Sequence, residues 1–263
     1  MIEIVILAVI LTTIAGLWDL KTTEVPDHLL YAMIAIGVIY WVANWLLIGD
    51  LNSLVISLTV GTILLAIGLI MYKKGQWGGA DAWILAAIGY MIPLYNGEIF
   101  IIPYLLNFVI VSIVYSVIYA VILGLMHKEV FGHVKDDLVS KWKITVGIPV
   151  VLLVFVLVTV VERPFLTSLV LNMFVLMTLL VLFWRYAVVL EKHVFKKKIP
   201  TSKLKVGDVL EKGNWIGLTE RQIKNLRKQK RYVVIKDGMR FVPVFAIALV
   251  ITLLFGNLFF MIF

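Results

Sequence analysis

The sequence predicts an all-α polytopic membrane protein, with about eight transmembrane helices and a small cytoplasmic α+β lobe before the last of them. Three observations predict it. Hydrophobic residues fill 62% of the 263 positions against 15% charged, for a mean hydropathy of +1.03, well above the apolar share of soluble domains. The apolar residues come in runs long enough to cross a bilayer, which takes roughly 20 residues each. Those runs are continuous rather than alternating, which excludes a membrane β-barrel.

The eight spans are read at 2–18, 28–48, 52–72, 81–95, 99–126, 144–161, 165–185 and 241–262. The first lacks a positive n-region and a small-residue cleavage site, so it reads as a retained helix rather than a signal peptide. The fourth is short for a bilayer, and the fifth is long enough to tilt or extend out of it. Trp18, Trp41, Trp45, Trp77 and Trp83 fall near span ends, as an interfacial aromatic belt does.

The positive-inside rule orients the spans. With the Asp19–Asp27 connection in the cytoplasm, every one of the 24 Lys and Arg except Arg163 lies on that side. Both termini are then outside, and Asp19 and Asp81 both sit at cytoplasmic helix ends. The expected domains are a membrane peptidase domain over 1–186, a basic cytoplasmic lobe over 187–240, and a C-terminal transmembrane helix over 241–263.

Within the lobe, Lys205-Val206-Gly207-Asp208 reads as a turn between short strands. Thr219-Glu220-Arg221-Gln222 is a capping box opening a helix to about Lys230, and Tyr232–Ile235 is a strand closed by Asp237-Gly238. The net charge of +8 concentrates here, alongside the membrane. It fits retention in the cytoplasm and attraction to anionic lipid head groups. Nucleic-acid binding is not expected, because basic and aromatic residues are not interleaved.

Of the 16 acidic residues, only Glu3, Asp19 and Asp81 fall in or at the edge of a span. Acids there cost several kcal/mol, roughly 2.5–3.5 on insertion scales, and mark sites of function. Asp19 sits at a helix C-terminus, where the macrodipole favours a cation. Asp81 follows Gly78-Gly79-Ala80, and its bland role is a first-turn cap. Taken together they share one membrane depth, and two nearby carboxylates sharing a proton are what aspartic proteolysis requires: one takes a proton from water, the other protonates the carbonyl oxygen. Gly78 and Gly79 are expected to supply unusual backbone conformations and close approach for a substrate strand. The four His have no zinc-ligand spacing and there is no Cys, so no metal and no cofactor are expected.

The residues Asp19-Leu20-Lys21-Thr22-Thr23-Glu24-Val25-Pro26-Asp27 resemble the first-aspartate motif of type IV prepilin peptidases, in which Ile/Val-Pro-Asn/Asp follows the aspartate and a basic residue. Gly78-Gly79-Ala80-Asp81 is similar to their GxGD motif, with Ala80 at its third position. The region around Lys205–Asp208, Ile216–Glu220 and Phe241-Val242-Pro243 resembles the C-terminal part of archaeal prepilin and preflagellin (archaellin) peptidases. The resemblance implies a membrane aspartic endopeptidase with Asp19 and Asp81 as catalytic pair, supported by Gly78, Gly79, Ala80 and Pro26. It implies removal of a short basic leader from pilin-like or archaellin precursors at the cytoplasmic face of the cell membrane. Glu24 and Asp27 are possible contacts for that leader, or solvated loop acids. Bacterial relatives carry a cysteine-rich zinc and methyltransferase section; the absence of Cys implies cleavage without N-methylation.

Two other readings stand beside it. A signal-peptide-peptidase-like protease normally has Tyr before its first Asp, where Trp18 stands, and Pro-Ala-Leu where Phe241-Val242-Pro243 stands. A proton- or cation-coupled transporter would place acids at mid-membrane and repeat its halves, and the sequence shows neither.

Overall fold

A computed structural model describes residues 1–162, 167–211 and 217–258. Arg163 and Ile216, used in the sequence reading, lie outside the described residues. Among the described residues the long apolar runs are helical, as the sequence predicts. Helix α1 covers Ile2–Thr22, α2 Asp27–Ile48, α3 Leu51–Lys73 and α4 Gly79–Met91. A two-strand hairpin, β1 Leu94–Tyr95 with β2 Glu98–Ile99, leads into α5 Ile101–Met126. Its turn places Asn96 at φ 52 and Gly97 at φ 83, the positive pair that a two-residue hairpin turn requires.

Five helices are long and apolar enough to cross a membrane, and a sixth span arises if one bent pair counts as one. That pair is α6 Glu129–Ser140 with α7 Trp142–Glu162, bent by 68°. The sequence reading left residues 127–143 as a connection; instead an amphipathic helix forms, with Val130 as its buried anchor. Helix α8 runs Thr167–Leu190 and continues as one π turn, Glu191–Phe195. The remaining apolar helices, α4 and α10 Pro243–Phe255, have 13 residues each, about 20 Å at 1.5 Å per residue. Between α8 and α10 lie β3 Lys196–Pro200, α9 Glu220–Gln229 and β4 Tyr232–Lys236, with β3 and β4 paired antiparallel. The Thr219 capping box forms: Thr219 N–H donates to Gln222 Oε1 at 2.9 Å, and Gln222 N–H to Thr219 Oγ1 at 3.4 Å.

The chain divides into two compact units. One comprises residues 1–116, 205–225 and 238–263; the other comprises 117–204 and 226–237. In the first, α4 is the core. Asp81 to Met91 are buried except for half-buried Trp83, with α1, α2 and α3 packed around them. Small residues make the approach possible. A Cβ on Gly68 of α3 would lie 2.7 Å from Ala82 Cα, and one on Gly37 of α2 3.0 Å from Met91 N. The end of this enclosed helix would leave carbonyls unpaired in an apolar setting. Ser57 Oγ donates to Tyr90 O at 2.7 Å, and Trp41 Nε1 to Met91 O at 3.3 Å. Trp41 is therefore a core residue, 3% exposed, and not part of an interfacial belt. Helices α5 and α10 are joined through buried Asn107, which donates to Thr252 Oγ1 at 2.9 Å and Gly256 O at 2.6 Å and accepts from Leu258 N–H at 3.0 Å.

In the second unit, α6 packs on α7 and α8. Asp137 of α6 accepts from Arg185 of α8, whose guanidinium is buried, and Tyr186 Oη donates to Ala120 O at 2.7 Å. Arg227 donates to the carbonyls of Thr201, Ser202 and Leu204, tying α9 to the end of β3.

Candidate active site

Both aspartates singled out in the sequence are buried, Asp19 at 6% and Asp81 at 7% exposure, and both lie in the first compact unit. Helix α1 does not end before Asp19 but continues one turn past it. Thr23, at φ 63, closes the helix by donating its N–H to Asp19 O at 2.8 Å. The Asp19 carboxylate turns towards α10, and Oδ2 accepts from Val242 N–H at 3.1 Å. The helices meet closely there. One turn before Asp19, a Cβ on Gly16 would lie 3.1 Å from Pro243 Cα.

Asp81 is the third residue of α4, and its Oδ2 accepts from Gly78 N–H at 2.9 Å. The capping role open to any acid at this position is therefore filled, using one of the two carboxylate oxygens. Helix α1 packs on α4, and the two carboxylates lie within electrostatic range of each other. Arg240 stands two residues before Val242, from whose N–H Asp19 accepts. Tyr115 Oη pins the main chain of that arginine by donating to Arg240 O at 2.6 Å.

The glycine loop differs from expectation. Its positive φ is at Gly75, 69°, where the chain leaves α3. Gly78 is extended, φ −71° and ψ 158°, so its conformation suits any residue. Its requirement is room: a Cβ there would lie 3.1 Å from Asp81 Oδ2. A Cβ on Gly79 would meet Tyr72 at an ordinary 3.7 Å. Ala80 packs half-buried against the core, and Trp77 sets its ring near Phe108 and Phe245, with centroids at 6.1 and 6.3 Å.

The other expected residues sit further out. Pro26 is the N-cap of α2, with φ −62°. Glu24 and Asp27 are exposed on either side of buried Val25 and half-buried Pro26. Glu24 leans on Gly207, where a Cβ would lie 2.6 Å from its Oε1. Among the described residues, no three His, Asp or Glu side chains converge as metal ligands.

The structure thus joins Asp19, Asp81, Gly78 and the start of α10. Residues 6–133, which hold both aspartates and the loop between them, match the model of the type IV leader peptidase family. Residues 6–133 belong to that family. The chain is accordingly a protease of the aspartic, prepilin-leader type, in a multi-pass membrane fold. No match was found among curated proteins or among solved structures. The leader peptidase segment does not include Val242, which the fold brings to Asp19 from the far end of the chain. Sequence reasoning missed it. Phe241-Val242-Pro243 is noticeable as a motif, but a backbone N–H donor has no signature of its own.

Proposed function

We propose that Asp19 and Asp81 are the catalytic pair of a membrane endopeptidase that removes a short basic leader from type IV pilin-like or archaellin precursors. The observation that carries the reading is two buried carboxylates on packed helices, within electrostatic range, inside the leader peptidase segment. Two carboxylates brought together at a site do not both ionise readily, so one proton is shared and acid and base are present together. Gly78, Gly79 and Ala80 place Asp81, and Pro26 starts α2 behind the first motif. Exposed Glu24 and Asp27 meet basic residues of the leader.

In this reading the chain crosses the cell membrane eight times, with both termini outside and the pair at the cytoplasmic face. Residues 1–186 form the peptidase domain, 187–240 a basic cytoplasmic lobe facing lipid head groups, and 241–263 the last span. The 263 residues hold no Cys for a zinc section, which supports cleavage without N-methylation.

The test uses detergent-solubilised protein with a prepilin and an archaellin precursor, scored by the small mass loss of leader removal. Asp19→Asn and Asp81→Asn each lower cleavage by about three orders of magnitude or more, and the double variant is scarcely worse, because residues acting as a unit are non-additive. Asp50→Asn is the control. Asp50 caps α3 by accepting from Ser53 N–H at 3.1 Å, a role Asn fills equally well, so cleavage stays parental. The pH–rate profile falls on both sides, with limbs belonging to the pair. A single Asn variant that retains most of its activity sinks the dyad.

A further inference from the structure

Resting on that dyad, we propose that the groove between α1 and α10 seats the apolar helix of the precursor that follows the scissile bond. The groove lies within the first compact unit and has a volume of about 340 Å³. That is the low end for ligand pockets, roughly 300–1,000 Å³: room for a few side chains from one helix face, not for a whole helix. Its walls are two stripes at helical spacing, Thr13, Leu17 and Leu20 on α1 and Pro243, Ile247 and Ile251 on α10. Each stripe covers about two turns, roughly 10–12 Å at 1.5 Å per residue. The lining is apolar apart from the Thr13 hydroxyl. Leu17 is 62% exposed and Ile247 41%, so the described chain leaves this apolar surface open.

The position of the groove singles out its occupant. One end is at the catalytic pair: Leu20 follows Asp19 in the chain, and Pro243 follows Val242, whose N–H donates to Asp19. From there the groove runs back along α1 and forward along α10. On the other side of Asp19, the connection to α2 exposes Glu24 and Asp27 against one cation, Lys21. The chain thus offers carboxylates, then the reacting pair, then an apolar channel. A basic leader, a scissile bond and an apolar helix present the complementary chemistry in the same order. The bound helix lies parallel to α10 and antiparallel to α1. A lipid acyl chain or a second copy of this chain gains nothing from the carboxylates beyond the groove.

The packing suits a helix. Helices in a membrane associate through close contact, and small residues let their backbones approach. Ala246 is such a residue in the lining, and Gly16 is another. A Cβ on Gly16 would lie 3.1 Å from Pro243 Cα, so the floor at the catalytic end is main chain. A helix seated there carries the peptide bond before it to the level of Asp19, and the orientation is supplied by binding in advance of the chemistry.

The test is disulfide cross-linking of the full-length protein in detergent, which has no Cys of its own. Leu17→Cys and Ile247→Cys are made in an Asp81→Asn background, which keeps the precursor whole. Each is oxidised with precursors carrying one Cys stepped through the apolar helix. Both cross-link, at precursor positions recurring every three or four residues. Ile113→Cys on α5, 61% exposed and outside the groove, gives no such pattern. Absence of cross-links at Leu17→Cys and Ile247→Cys, or an equal yield at Ile113→Cys, overturns the proposal. So does Leu17→Cys joining two copies of this chain in place of the precursor. In the parental background, Thr13→Trp fills the groove and raises KM by about tenfold, the lower end of what one misfitting group does in an apolar pocket, with kcat near parental. A fall in kcat with KM unmoved shows a structural role and overturns the proposal; Ile247→Trp replaces Thr13→Trp if that variant does not fold. Failure of the dyad shows separately, as precursor cleavage in the Asp81→Asn background.

Discussion

Gly68→Ala tests whether the packing of α3 on α4 sets the active geometry. A Cβ at position 68 would lie 2.7 Å from Ala82 Cα and 2.8 Å from Ala82 Cβ. Carbon atoms rest at about 3.5–4.0 Å, so the two helices must part by about 1 Å. The obstacle is backbone, so no side-chain rotation relieves it. Overpacking of this kind costs about 1–3 kcal/mol of stability. Ala82 follows Asp81 directly, so the displacement passes to the carboxylate, while Asp19 stays on α1. A misplacement of about 1 Å at a reacting group costs roughly 10²-fold, or about 2.7 kcal/mol of barrier. The assay is kcat/KM for precursor cleavage, alongside thermal unfolding in the same detergent. Gly132→Ala in α6 is the control, since a Cβ there meets nothing within 4 Å. If Gly68→Ala is folded and cleaves within about threefold of the parent, α4 is not positioned by this contact, and the factor of 10² drawn from it is wrong.

Two further expectations concern orientation and stability. With no native Cys to interfere, Thr22→Cys and Ala80→Cys react with an impermeant thiol reagent from the cytoplasmic side only, and Asn96→Cys from the outside only; labelling of position 80 from outside reverses the topology. Asn107→Leu removes three hydrogen bonds between α5 and the end of α10, at roughly 0.6 kcal/mol each in membrane proteins, so about 2 kcal/mol in all. An unchanged Tm in detergent would show that those bonds are not limiting.

The membrane class and the two aspartates were legible because both rest on contrast. A carboxylate beside a long apolar run stands out whatever the fold, and Asp19 and Asp81 are where the family match and the burial both fall. What was not legible depends on chain segments meeting. Val242 lies 223 residues from Asp19, and its contribution is a main-chain N–H that every residue but proline carries. The segment 127–143 looked like a loop because its charges hid one narrow apolar stripe, anchored by Val130. Trp41 looked interfacial by position, but it is held inward by a carbonyl at the end of α4 that needed a donor.

The glycines show how a correct residue can carry a wrong reason. Gly78 and Gly79 drew notice as places of backbone freedom, yet the positive φ belongs to Gly75, three residues earlier. What Gly78 provides is room for the Asp81 carboxylate to fold back onto its own helix start. That bond explains why Asp81 looks like an ordinary cap in sequence. A capping bond and a catalytic role do not compete, because the cap uses Oδ2 alone and fixes the orientation of the carboxylate. The same economy holds at Asp19, where Oδ2 is committed to Val242. Each aspartate is thus oriented through one oxygen by a helix start. The main chain thus treats the two carboxylates alike, and whatever separates their roles lies beyond it.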